Sequence, residues 1–199
     1  MLTVVPLVSE AIPRVSGGGL THNYIFSEAQ FHWGDLTAGG PLPLRSKYLP
    51  SYNKFSFTGS EHTRSKVSFA MEIQFVHYKE SLGSLSKAML SDDWDSLAII
   101  SVFCYVIRIS LLIRNYPGHV QLQNRIQALA PYMDVISSAL GNISQPGLET
   151  EIPSFPLANL LPENQERFFR YNGSLTSPPC TENVVVRQAW ALDQLSYLS

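Results

Sequence analysis

A chain of 199 residues that is 45% hydrophobic and 15% charged can bury one sizeable core, as a single globular domain does. Its net charge is −2, and no Lys/Arg cluster with interleaved aromatics occurs, which argues against nucleic-acid binding. β-Branched and aromatic residues are frequent and favour a β-rich fold. The two cysteines, Cys104 and Cys180, belong to no C-x-x-C pair, so a thiolate zinc site is not indicated.

Met1 to Ile12 is mildly apolar but lacks the basic start and long apolar core of a signal peptide. Val15 to Leu20, VSGGGL, reads as a turn feeding a strand, because glycines tolerate backbone angles that other residues avoid. Tyr24 to Trp33 is the first predicted strand. Within it Gln30 and His32 leave the same face while Phe31 turns to the other, which places a histidine and an amide on what reads as the wall of a site. Asp35 to Thr58, with Gly39-Gly40 and three prolines, shows no sustained period and reads as a long loop.

Lys66 to Tyr78 has the clearest strand pattern. Val67, Phe69, Met71, Ile73 and Phe75 alternate with Ser68, Ala70, Glu72, Gln74 and Val76. The first set must pack on a core, and the second, carrying Glu72 and Gln74, reads as a half-solvated face. Ser84 to Leu90 is predicted as a short helix, and Leu97 to Val106, apolar on both faces, as a central strand. The apolar run from Leu97 to Ile113 is interrupted by Arg108 and falls short of the roughly 18 residues of a membrane-spanning helix. Leu122, Ile126 and Leu129 recur at helical spacing, and Gly141 reads as the end of a second helical turn after Pro131. Asn159 to Pro162 reads as a tight turn, Gly173 to Cys180 as a polar loop, and Val184 to Val186 as a strand. With no repeat, low-complexity tract or domain boundary, residues 1–199 are expected to form one mixed domain dominated by a sheet.

Four motifs then stand out in order: Val15-Ser16-Gly17-Gly18, Phe31-His32-Trp33-Gly34, Gly59-Ser60-Glu61-His62-Thr63, and the stretch Tyr171 to Asn183, YNGSLTSPPCTEN. Together with Met71-Glu72-Ile73-Gln74 and Asp95-Ser96-Leu97-Ala98 they resemble the α-carbonic anhydrase family. The resemblance is strongest over residues 15–34, 59–106 and 155–186, with 35–58 and 107–120 reading as inserted loops. It implies an α+β, mainly β fold: a large, twisted, mostly antiparallel sheet with peripheral helices. That fold is expected to be incomplete at both ends, since the family's N-terminal part, with its proton-shuttle histidine, and its C-terminal segment find no counterpart.

Active members of that family hold zinc with three histidines, two from His-x-His on one strand and one on its neighbour. A fourth position stays open for water, whose pKa the metal lowers to about 7 so that hydroxide attacks carbon dioxide. Carried onto this sequence, the first ligand position is Gln30, the second His32 and the third Gln74. An amide is a neutral, weakly basic oxygen donor, whereas zinc prefers imidazole, thiolate or carboxylate. Zinc is therefore expected to bind weakly or not at all, and no other cofactor is implied. The resemblance matches Glu72 to the carboxylate that orients the third ligand, here left to accept a bond from the Gln74 amide. It matches Thr176 to the gatekeeper hydroxyl and Glu61 to the carboxylate that orients it. With the ligands changed, that pair reads better as a buried hydrogen bond stiffening a loop. Ile99, Leu175 and Ser177 fall at pocket positions, Pro178-Pro179 matches a cis pair, and His62 and His77 read as structural.

Loss of the first and third histidines resembles the carbonic anhydrase-related proteins and the anhydrase-like ectodomains of receptor-type tyrosine phosphatases. This implies a catalytically inactive module that recognises a protein partner, including one at a cell surface, with neither nucleic acid nor a membrane span involved. The alternative is a weak zinc-dependent carbonate dehydratase or esterase working at His32. Cys180 matches a cysteine that pairs with an N-terminal one in secreted members, and that second cysteine has no counterpart here. Cys104 reads as a buried thiol, and Asn142-Ile143-Ser144 and Asn172-Gly173-Ser174 fit the glycosylation pattern. These features point to an extracellular or secreted location, with a cytoplasmic one as the alternative.

Overall fold

The computed structural model describes residues 2–6, 12–33, 59–69, 71–104, 135–136, 139, 142, 149–162 and 165–189. They fall into two compact units, Met1–Val106 with Asn164–Ser199, and Ile107–Glu163. In the second unit residues 135, 136 and 139 are helical, Ile136 is buried, and a 3-10 turn spans Leu157–Leu160, two residues ahead of the expected turn. The helical repeat Leu122-Ile126-Leu129, the expected helix end at Gly141 and the loop 35–58 lie outside the described residues.

The first unit is built on one seven-stranded sheet. Its strands are β1 (Leu2–Val4), β2 (Arg14–Val15), β3 (Tyr24–Trp33), β6 (Met71–Lys79), β7 (Leu97–Cys104), β8 (Phe168–Gly173) and β9 (Val184–Ala189). The spatial order is β1-β3-β6-β7-β9-β8, with β2 also on β3, and among the described strands every pairing is antiparallel except β7 with β9. This mainly antiparallel sheet with few helices is the fold class expected.

β3 has the predicted limits, and β7 occupies the centre as its two-sided apolar pattern requires. The predicted strand from Lys66 is divided. Thr63–Arg64 (β4) and Val67–Ser68 (β5) form a separate hairpin, closed at Ser65 and Lys66, which take φ of 50° and 65°. Two successive positive-φ residues give a turn whose twist suits tightly paired strands. β6 starts afresh at Met71, and Phe69 between them turns inward to stack on Phe103 with ring centroids 3.8 Å apart. The half-solvated face expected for β6 is also wrong: both its faces are covered, and Glu72 and Gln74 are as buried as Ile73 and Phe75. The cause is tertiary, since β3 and β7 flank β6 and further residues close over the polar face.

At one end of that face Val76, Leu97, Ile99, Val184 and Val186 pack with Ala88 of a short helix, α1 (Leu85–Met89). Ser84 caps its N-terminus by accepting from Lys87 N–H at 3.3 Å. Asn183 Nδ2 donates to the Ala88 and Ser91 carbonyls at 2.9 and 3.0 Å, tying the start of β9 to the end of this helix. Nearby, Lys79 Nζ lies 2.5 Å from Asp95 Oδ1 and 3.2 Å from Asp93 Oδ2, tying the end of β6 to the approach to β7.

His77 is buried on β6 and its Nδ1 sits 2.9 Å from the Phe75 carbonyl. Burial disfavours the imidazolium and, despite the bonds to backbone carbonyls, lowers its pKa from 6.5 to about 4. Above pH 6.5 neither the folded nor the unfolded state holds the extra proton. Between 6.5 and 4 the unfolded chain takes up a proton that the fold refuses, so stability should fall by about 3 kcal/mol over that window. Urea unfolding across this pH range should show the slope in the native sequence and its loss in His77→Gln. An equal slope in the variant would assign it to another group.

Candidate functional site

β3 and β6 pair so that Gln30 stands opposite Gln74 and His32 opposite Glu72. Facing residues of an antiparallel pair share a sheet face, so these four side chains form one patch. A register shift between Phe26 and Glu28 precedes it on β3. On the other side of β6, Ser101 of β7 is paired with Gln74.

Glu72 is fully buried and accepts four bonds: His62 Nδ1 at 2.5 Å, the His62 backbone N–H at 3.0 Å, Ser101 Oγ at 2.5 Å and Gln74 Nε2 at 3.0 Å. Burial alone would raise its pKa, but the bonds and charge from His62 and the bond from Ser101 prevail and hold it below the usual carboxylate range. His62 Nε2 is hydrogen bonded to the Tyr171 hydroxyl. Burial first, then the charges of Glu72 and Glu61, raises the Tyr171 pKa, so the phenol keeps its proton. His62 thus bridges the Tyr171 hydroxyl and Glu72 through its two ring nitrogens. The reading of His62 as structural acquires a definite form, a relay of hydrogen bonds from Tyr171 to a buried carboxylate.

Glu61 joins the parts. Its Oε2 accepts from Thr176 Oγ1 at 2.8 Å and from Gln74 Nε2 at 2.9 Å, and its Oε1 lies 3.5 Å from His32 Nδ1. The Glu61–Thr176 pair expected to be buried is present, but both residues are exposed. Gln74 thus donates to two carboxylates at once, and Gln30 Nε2 donates to Glu28 at 2.6 Å. His32 is buried, and its Nε2 has no hydrogen-bond partner among the described residues.

A cavity of about 180 Å³ opens here, and Gln30, Gln74, Glu61, Ile99, Leu175, Thr176 and Ser177 all line it. His32 and Glu72 do not; they meet it through Glu61 and Gln74. The sequence reading missed Tyr171 and Ser101. Ser101 carried a signal, a hydroxyl inside an otherwise apolar strand, whereas Tyr171 enters only because β8 folds beside β9. The Pro178–Pro179 bond is cis and Cys180 is an exposed free thiol. Among the described residues no three His, Cys, Asp or Glu side chains converge to hold a metal ion, and no helix is long and apolar enough to cross a membrane.

Comparison with known proteins agrees with this arrangement. The family described as eukaryotic-type carbonic anhydrase matches residues 3–190, wider at both ends than the motifs alone delimit. Human carbonic anhydrase 6 is 32% identical over 161 residues, covering 81% of this chain and 40% of the relative. Putative carbonic anhydrase 5 of Caenorhabditis elegans is 30% identical over 173 residues, 87% of this chain and 43% of the relative. Carbonic anhydrase 4 of Oryctolagus cuniculus is 32% identical over 173 residues, 86% of this chain and 43% of the relative. The chain therefore spans less than half the length of these relatives. With Gln30, His32, Glu72 and Gln74 on one face of one sheet, and a family match running through nearly the whole sequence, this chain belongs to the eukaryotic-type carbonic anhydrases.

Proposed function

We propose that this chain is a catalytically silent carbonic anhydrase domain that serves in protein recognition outside the cell. The observation that carries the reading is the direct pairing of Gln30 with Gln74, both at positions where the family resemblance calls for a zinc histidine. The donor set present does not fit zinc. His32 Nε2, buried and without a partner among the described residues, is a suitable ligand atom, but the two remaining positions offer amides. Those amides are engaged: Gln74 Nε2 bridges Glu61 and Glu72, and Gln30 Nε2 is held by Glu28. These neutral amide N–H groups donate to the surrounding carboxylates and are held away from any metal-ligating role. The Thr176–Glu61 bond persists in this setting as part of the scaffold around the cavity.

Retention of the framework alongside loss of the ligands supports a role that needs the surface and not the reaction. An extracellular partner is in keeping with Asn172-Gly173-Ser174, a glycosylation pattern at the end of β8. The second reading, a residual dehydratase or esterase at His32, draws on the unpaired Nε2 alone. Carbon dioxide hydration by the purified chain separates the two. The silent domain should give the uncatalysed rate, unaffected by a chelator or by His32→Ala. A rate above background that both treatments remove would establish the residual enzyme.

A further inference from the structure

A second cavity, of about 170 Å³, lies on the same sheet face beyond the Tyr171–His62 bond. Phe103 of β7 and Phe169 and Tyr171 of β8 supply its aromatic wall, Gln188 and Ala189 of β9 line it beside them, and His62 with Thr63 and Arg64 of β4 complete the lining. The Phe103 ring is fixed from its other side by stacking on Phe69. Phe169, on the outermost strand of the sheet, is 58% exposed, so the cavity is open to solvent on that side.

One polar atom is out of place in this setting. Gln188 is 7% exposed, and its Oε1 is buried with no hydrogen-bond partner among the described residues. Its Nε2 donates to the Ser101 carbonyl at 3.4 Å, near the limit of a hydrogen bond, so little energy holds the amide in this orientation. A buried acceptor without a donor is costly, and a ligand that supplies the donor removes that cost. An apolar cavity of about 150 Å³ accommodates a benzene-sized ring.

We propose that this cavity is a binding site for a single aromatic ring bearing a hydrogen-bond donor, of the phenol class, with Phe103, Phe169 and Tyr171 packing on the ring and Gln188 Oε1 accepting from its hydroxyl. The site is separate from the Gln30–Gln74 cavity, and it stands whether or not that cavity is catalytically silent. His62 and Tyr171 lie between the two, lining both.

Phenol and toluene, titrated separately into the purified chain and followed by ligand-observed NMR, test the assignment. Both should bind saturably, phenol about fivefold more tightly, as one hydrogen bond to a buried acceptor implies. Gln188→Leu should erase that preference while retaining toluene. Thr63→Trp, a change at an exposed residue that leaves the core intact, should weaken both ligands at least about tenfold by occupying the edge. No saturable binding, or equal affinity for the two ligands in the native sequence, would overturn the proposal. So would phenol binding that survives Thr63→Trp and disappears in Ser177→Trp, because Ser177 lines the other cavity.

Discussion

Glu72→Ala is expected to lower the unfolding free energy by about 3–5 kcal/mol, the range for removing one partner of a buried charged cluster. The carboxylate is fully buried and is the only acceptor found for His62 Nδ1, the His62 N–H and Ser101 Oγ among the described contacts. Alanine leaves these donors, and one of the two bonds of Gln74 Nε2, without an acceptor in a water-poor interior. It also leaves a cavity where the buried side chain stood. Glu72→Gln keeps the shape and one acceptor oxygen and should cost less, about 1–3 kcal/mol. Urea unfolding at neutral pH measures both; a loss below about 1 kcal/mol for alanine would mean that the four bonds contribute little net stability. The pH dependence has its own sign. A carboxylate whose pKa is lowered by folding stabilises above its unfolded value and ceases to do so as pH falls through the depressed one. Its contribution should therefore be lost only at the acid end, after the decline assigned to His77 has begun.

The double change Gln30→His with Gln74→His should make the fold measurably more stable in the presence of zinc. The backbone is already in place: positions 30 and 74 are paired across β3 and β6, and His32 follows on the same face. An imidazole at 74 would release Glu61 and donate its remaining N–H to Glu72, the kind of carboxylate support that fixes a ligand's tautomer. At a zinc concentration a thousandfold above the dissociation constant, linkage adds about 4 kcal/mol to the stability of the fold. For a chain of this size that raises the melting temperature by on the order of 10 °C. The native sequence should show no such rise, and each single change only a small one. A zinc-dependent rise of equal size in the native sequence would show that the amides are adequate ligands.

Much of this arrangement was legible in the residues. Alternation placed Gln30 and His32 on one face, and the apolar run from Leu97 marked the central strand. Gln74 is different: periodicity put it on a polar face beside Glu72, and only the resemblance to carbonic anhydrases singled it out. What stayed hidden depends on contacts between distant segments. Ser65 and Lys66 close the β4–β5 hairpin with positive φ, yet neither is the glycine or asparagine that signals such a turn. The burial of Glu72 follows from Ser101, 29 residues further on, and from His62 in a loop, neither of which a strand pattern reports. β8, FFRYNG, has exposed aromatics and no clean alternation, so its place at the sheet edge came only from its pairing with β9.

Zinc content of the purified chain tests the central claim most directly. After equilibration with micromolar zinc and removal of unbound metal, elemental analysis should find far less than one zinc per chain. One tightly held zinc per chain, lost in His32→Ala and accompanied by carbon dioxide hydration that a chelator abolishes, would contradict it.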